Sequence, residues 1–272
     1  MTDNEPGSRD EPDLSGRVAL VTGGGRGIGR SVAMRLARCG AAVIVIARSE
    51  DEIGATVRAI RHSGGDASAL PADLARISGI RELAAQAAES HGPVDILVNN
   101  AATVTPLGPT MDLGLDEVQH AFAINVHAVI ALTGAVLPGM LARDWGRIVN
   151  VSSGIVDRPG TMVGGNVYAA TKGALEAHTL NLAVELEHTG VTVNVYRPGT
   201  VDTAMQGYIR GQDPDQVKGG LVERFQRMRA DGQLVTPDAS ARTLVARVTG
   251  SETGSVWSFE PDDSAPDDPA PS

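Results

Sequence analysis

Short apolar runs alternate with longer stretches of helical spacing along most of the chain. Arg17–Thr22, Ala42–Ala47, Ala67–Leu70, Val94–Val98, Arg147–Val151, Val191–Tyr196 and Ser255–Phe259 read as strands. Most are apolar at successive positions and so are suited to burial on both faces. Between them, Ser31–Cys39 repeats Val32, Leu36 and Cys39 on one side, and Ile53–Arg61, Ile77–Ser90, Asp116–Leu137, Val167–Glu187 and Pro237–Val248 have helical patterns. Pro138 is expected to end or kink the third of those later helices, and Pro237 suits the first turn of the last one. Thr203–Gly232 is helical but irregular. Regular alternation of this kind predicts a parallel sheet covered by helices on both sides, an α/β doubly wound, Rossmann-like single domain.

Charge refines the boundaries. The net charge is −10, but residues 1–13 and 260–272 together hold ten of the 33 acids and one of the 23 bases. The body, 14–259, is therefore almost neutral, and the acidic ends, poor in large apolar residues, are expected to be disordered. No basic stripe suggests nucleic acid. The start lacks the apolar core of a secretory signal, and no run of apolar residues approaches the roughly 20 needed for a bilayer, so a cytoplasmic protein with no membrane contact is expected. Cys39 is the only cysteine, which excludes an internal disulfide and a cysteine-rich metal site. The six histidines show no metal-ligand spacing, and no metal is expected.

Chemistry concentrates in two places. Gly23-Gly24-Gly25-Arg26-Gly27-Ile28-Gly29 joins the first strand to the first helix. Glycines there let a backbone approach a pyrophosphate, and the amides of the helix start point at it. The spacing differs from G-x-G-x-x-G, but the position is where doubly wound folds bind dinucleotides. The second strand ends in Ala47-Arg48-Ser49, without an acid for ribose hydroxyls. Arg48, with Arg26 in the loop, suits a 2′-phosphate through planar charge-assisted bonds, so NADP(H) is expected to be preferred and NAD(H) remains possible, Glu50 and Asp51 being close by. The second place is Tyr168 and Lys172, which share one helix face. An unperturbed tyrosine titrates near ~10, and an adjacent cation lowers that value, making a phenol a working acid/base.

With Thr22-Gly23-x-x-x-Gly27-x-Gly29, Asn99-Asn100-Ala101-Ala102, Ser153 and Tyr168-x-x-x-Lys172 in order, the chain resembles the short-chain dehydrogenase/reductases, in particular the single-domain branch of 3-oxoacyl-carrier-protein reductases and ketoreductases. The resemblance covers about residues 14–259. It implies a catalytic set of Asn125, Ser153 (rather than Ser152), Tyr168 and Lys172. Tyr168 would protonate the carbonyl, Lys172 lower its pKa and bind the nicotinamide ribose, and Asn125 hold a water that leads to solvent. It also implies cofactor contacts from Thr22, Gly23, Arg26, Gly27, Ile28, Gly29, Arg48, Asp73, Leu74, Asn100, Ala101, Tyr168, Lys172, Pro198, Gly199, Val201 and Thr203. The implied substrate is a small-molecule ketone or secondary alcohol, with a 3-oxoacyl thioester as one form.

The chain departs from the family pattern at Ala102, where a glycine is usual, and lacks Asp-Gly-Gly after the last strand. The 15-residue interval from Ser153 to Tyr168 implies an extended loop over the substrate, Gly154 to Asn166. Gly207, Gly211, Gly219 and Gly220 suggest a lid over about 203–232. Arg224, Arg227 and Arg229 read as a solvated helix face, with an acidic carrier or a CoA phosphate as the lesser reading. The helices Asp116–Leu137 and Val167–Glu187 imply, by resemblance, a homodimer or homotetramer. Competing readings are an NAD-preferring alcohol or steroid dehydrogenase and a non-catalytic NADP-binding regulator or scaffold.

Overall fold

The computed structural model describes residues 11–261. Seven strands form one parallel sheet in the order β3-β2-β1-β4-β5-β6-β7. They are β1 (Val18–Thr22), β2 (Ala42–Ala47), β3 (Ala67–Pro71), β4 (Ile96–Asn99), β5 (Gly146–Val151), β6 (Val191–Arg197) and β7 (Val256–Ser258). Every residue of β1 is buried, and the pleat sends alternate ones to opposite sides. Ala19 and Val21 join a core with Val32 and Leu36 of α1 (Gly27–Arg38), Ile53 of α2 (Glu50–His62) and Leu244 of α10 (Pro237–Arg247). Val18 and Leu20 join a second core with Leu83 of α3 (Ile80–His91), Leu132 of α5 (Ala128–Ala142) and Leu182 of α6 (Asn166–Glu185). Two helical layers thus cover the sheet, as the doubly apolar strands require. The chain leaves β3 at one edge and returns on the far side of β1 as β4, so the ends of β1 and β4 part and open a crevice, the usual ligand position in such sheets.

The long helix expected over Asp116–Leu137 differs in two respects. It is divided into α4 (Leu115–Phe122) and α5 by a π-helical turn at Ala123–His127, and it continues past Pro138 to Ala142. Proline removes one backbone bond, that to the carbonyl of Gly134, while Leu132, Val136 and Met140, all buried, hold the helix against the sheet on both sides of it. Leu115–Ala142 is also a continuous 28-residue helix containing a stretch long and apolar enough by composition to cross a bilayer. Its buried side packs on the sheet as a covering helix of this fold.

The irregular stretch resolves into α7 (Ala204–Arg210), α8 (Pro214–Val217) and α9 (Leu221–Ala230). Ile209, Val217, Leu221 and Val222 from these helices join Val104 and Met162 in a third, smaller apolar cluster, against which Ile155, Tyr168, Met205 and Phe225 pack. At the two ends, Glu11 bonds Arg35 at 2.9 Å and Glu260 bonds Arg247 at 3.2 Å. The remainder of the acidic ends, residues 1–10 and 262–272, lies outside the described residues.

Candidate active site

The C-terminal ends of β1, β2, β4, β5 and β6 face a cavity of about 840 Å³. Its wall at one end is the glycine loop. Gly23 has φ +65° and Gly27 φ +54°, left-handed values that a side chain rarely adopts. Gly29 serves a different need, since a Cβ there would fall on the Gly23 carbonyl oxygen and the Asn100 amide. Behind the loop, the Thr22 hydroxyl receives the backbone N–H groups of Asn100 and Ala101, both at 3.0 Å, and the Asn100 amide donates back to the Thr22 carbonyl at 3.0 Å. The tips of β1 and β4 are thereby fixed to each other where the loop begins.

The first turn of α1 contains no acid, and the Arg26 side chain makes no capping bond to it. Its free amides and the room left by the glycines fit a pyrophosphate. Thr203 comes to the same place, its methyl 3.2 Å from where a Gly27 Cβ would be. Farther along the cavity are Arg48, Asp73, Leu74, Ala101 and Pro198. Asp73 also accepts the Ala75 N–H at 3.1 Å, shaping the turn it sits in. Gly199 and Val201 stand behind the wall; buried Val201 bridges to Val235 in parallel fashion. The two arginines expected at a 2′-phosphate are not equivalent. Arg26 is paired with Glu52 at 3.3 Å, whereas Arg48 is exposed with no acid paired to it among the described residues.

At the other end of the cavity are Tyr168 and Lys172. The expected lowering of the Tyr168 pKa by its neighbour does not hold in this state. Burial pushes the phenol up to about 12, opposed by a hydrogen bond with the Ser153 hydroxyl. The Lys172 ammonium lies 5.7 Å from the Tyr168 ring centre and donates instead to the Val151 carbonyl at 2.7 Å. Burial pushes Lys172 down to about 8, with Glu176 acting in the opposite direction. At neutral pH the phenol therefore keeps its proton, and the ammonium is mostly charged. Of the two adjacent serines, Ser153 meets Tyr168, because the Ser152 hydroxyl is taken by Glu176 at 2.7 Å.

Asn125 occupies the π turn, fully buried. Its side chain accepts the Thr103 N–H at 2.8 Å and donates to the Thr103 carbonyl at 2.8 Å and the Thr171 hydroxyl at 3.0 Å. It fixes the segment after β4 to α6 through both of its amide N–H bonds and one of the two bonds its oxygen can accept. The sequence reading missed a second polar ladder beside it, in which Asn99 donates to Asn150 and Asn150 to Thr179, both at 2.9 Å. Asparagines at the ends of two otherwise apolar strands were its only signal. Arg224, read as solvated, donates to the Thr161 carbonyl at 2.7 Å and ties α9 to the substrate loop.

The fold and this arrangement are those of a dinucleotide-binding oxidoreductase. A family model for short chain dehydrogenases matches residues 17–214, and the chain belongs to the short-chain dehydrogenase/reductase family, whose members act on carbonyl and alcohol groups. A ketoacyl reductase from Streptomyces coelicolor is 35% identical over 244 residues, 88% of this chain and 92% of that one. A short chain dehydrogenase of Pseudocercospora fijiensis is 38% identical over 199 residues, 72% of this chain but 63% of that longer protein. The crystal structure of a variant actinorhodin polyketide ketoreductase with NADPH superposes with a TM-score of 0.80 at 34% identity, covering 89% of this chain and 95% of that one.

Proposed function

We propose that the chain is an NADPH-dependent reductase of uncharged ketones, 3-oxoacyl thioesters among them, which also runs the reverse oxidation of secondary alcohols. The observation that carries the substrate reading is the position of Tyr168. It stands where the dinucleotide cavity meets the third apolar cluster, packed, as are Ile155, Met205 and Phe225, against the buried group that includes Val104 and Met162. The basic side chains of the cavity are Arg26, Arg48, His120 and Lys172, and the two arginines belong to its other end. A carboxylate beside the reacting carbonyl would have no arginine to meet there, while an apolar substituent would be well covered.

A bound NADPH supplies the hydride. The groups of the chain then act on the carbonyl oxygen as it gains charge. The Ser153 hydroxyl and the Tyr168 phenol donate to it, a stabilisation that grows toward the transition state. Tyr168 gives up its proton, which the high pKa of the free protein keeps in place until then. Lys172 holds the site's positive charge next to the developing phenolate, and Asn125 fixes the floor on which Thr103 and Thr171 stand. Exposed Ile130, Leu141, Leu180 and Val184 on α5 and α6 support pairing of two or four chains.

The preference for NADPH rests on Arg48. Arg48→Ala is expected to weaken NADPH binding by about 1.5–3 kcal/mol, the range for hydrogen bonds to a charged group, and to leave NADH nearly unaffected; titration of both cofactors measures it. The Arg26–Glu52 pair is the one observation that favours NADH. The whole reading is tested by following NADPH and NADH oxidation with an aryl ketone, a 3-oxoacyl thioester, a keto acid and a ketose. Turnover led by the first two supports it, and turnover confined to the keto acid or to NADH overturns it.

A further inference from the structure

A buried ion pair lies beneath Tyr168 and Lys172, and no step above uses it. Glu176 follows Lys172 by one turn of α6 and is 6% exposed. Arg197 donates to both of its oxygens, from Nε at 2.9 Å and from Nη2 at 2.7 Å. The Ser152 hydroxyl reaches the same carboxylate at 2.7 Å. The remaining arm of the guanidinium, Nη1, bonds Asp157 in the loop over the substrate. Arg197 itself ends β6 and leads directly into Pro198 of the cofactor wall. One planar fork therefore joins β6, α6, the end of β5 and a loop that begins one residue after Ser153.

The two acids on this fork do different work. Glu176 already neutralises the buried guanidinium with a bidentate geometry that Lys could not reproduce. Asp157 is not needed for charge balance, and its side chain is 62% exposed. An exposed ion pair contributes little to stability, because the carboxylate surrenders water for a contact that solvent screens. What this contact does fix is a place: the loop Gly154–Asn166 is anchored at Asp157, four residues after Ser153, to an arginine whose other partner, Glu176, is one helical turn from Lys172. The loop's other ties lie farther along it, through the Thr161 carbonyl to Arg224 of α9, the Gly164 carbonyl to the Gly108 N–H at 2.7 Å, Asn166 to Thr110, and the buried Met162.

We propose that Arg197 is a positioning residue for substrate binding: its fork, held rigid by Glu176, fastens Asp157 and so sets the loop 154–166 over the reacting carbonyl. The inference rests on the reading of Ser153, Tyr168 and Lys172 given above. It follows that the Asp157 arm governs how well the carbonyl substrate is held, while the chemistry and the cofactor site stay as they are.

The test uses Asp157→Asn, Asp157→Glu and Arg197→Lys in the full chain. Asp157→Asn is expected to raise KM for the ketone about two- to fivefold, the range of an exposed ion pair, with kcat, NADPH affinity and Tm unchanged. Amide hydrogen exchange should accelerate within residues 154–166 and nowhere else. Arg197→Lys, which keeps a charge but loses the fork, should show the same loop exchange, and Asp157→Glu should restore both readouts. Unchanged exchange and KM in Asp157→Asn would overturn the proposal, as would equal behaviour of Lys and Arg at position 197. A fall in kcat and Tm without a loop-specific change would assign the pair to stability alone. Hydrogen exchange needs no substrate, so it decides the fastening even if no ketone turns over and the functional reading itself fails.

Discussion

Tyr168→Phe is expected to lower kcat by about 10²–10⁴-fold, the usual contribution of a positioned general acid, and to leave NADPH affinity and Tm essentially unchanged. The reason lies in what the substitution removes. The ring keeps its place against the third apolar cluster, so no cavity forms beyond one oxygen. The glycine loop, where the pyrophosphate would be held, lies at the far end of the site. What disappears is the one proton source whose burial keeps it loaded at neutral pH, with its pKa up at about 12. Ser153 can still donate to the carbonyl oxygen, but a serine hydroxyl does not supply the proton that completes the alcohol. Steady-state rates with a responsive ketone, together with NADPH titration, check both halves. Retained turnover would remove Tyr168 from the role of acid.

Gly29→Ala should give the opposite division. A methyl at this position would meet the Gly23 carbonyl and displace the Asn100 amide, which holds the Thr22 and Gly23 carbonyls at 3.0 and 3.3 Å. Backbone cannot step aside as a flexible side chain can. Overpacking of this kind costs about 1–3 kcal/mol, and the loop that moves is the one that would hold the pyrophosphate. NADPH affinity is expected to fall about five- to one-hundred-fold, with a lower Tm, while kcat at saturating cofactor changes far less. Calorimetric titration and thermal melting measure the two effects. A variant that binds NADPH normally would show that the close approach of α1 to the loop is not needed.

The contrast between these two variants mirrors what could be read from the chain. Periodicity of two kinds, strands apolar on both faces and helices with one apolar side, was sufficient for the sheet, its layers and the place of the glycine loop. The spacing of Tyr168 and Lys172 placed them on one helix face without knowledge of the fold. Other features depend on contacts distant in sequence and left no local trace. Glu176 looks like an ordinary helix surface residue until Arg197 of β6 is packed against it. Arg26 looked free until α2 brought Glu52 to it. The direction of the Tyr168 shift was misread for the same reason: spacing gives the neighbour, but the burial of the phenol and the engagement of Lys172 with Val151 are properties of the assembled core. The passage of α5 through Pro138 likewise follows from packing on the sheet, which local propensity does not register.

The π turn at Ala123–His127 has a consequence for how this chain can change in length. It accommodates one more residue than α-helical winding would, and each residue advances an α-helix by about 100°. Deleting one residue inside the turn while it closes to α-helical winding would leave α4 and α5 nearly in phase, because the turn is what absorbs the extra residue. A deletion within α5 with the turn kept would instead rotate the residues beyond it by that angle, turning Met140 off the sheet. The turn is therefore where this long helix can lose a residue with its flanks in register, and what would be lost is the winding that presents Asn125 to Thr103 and Thr171.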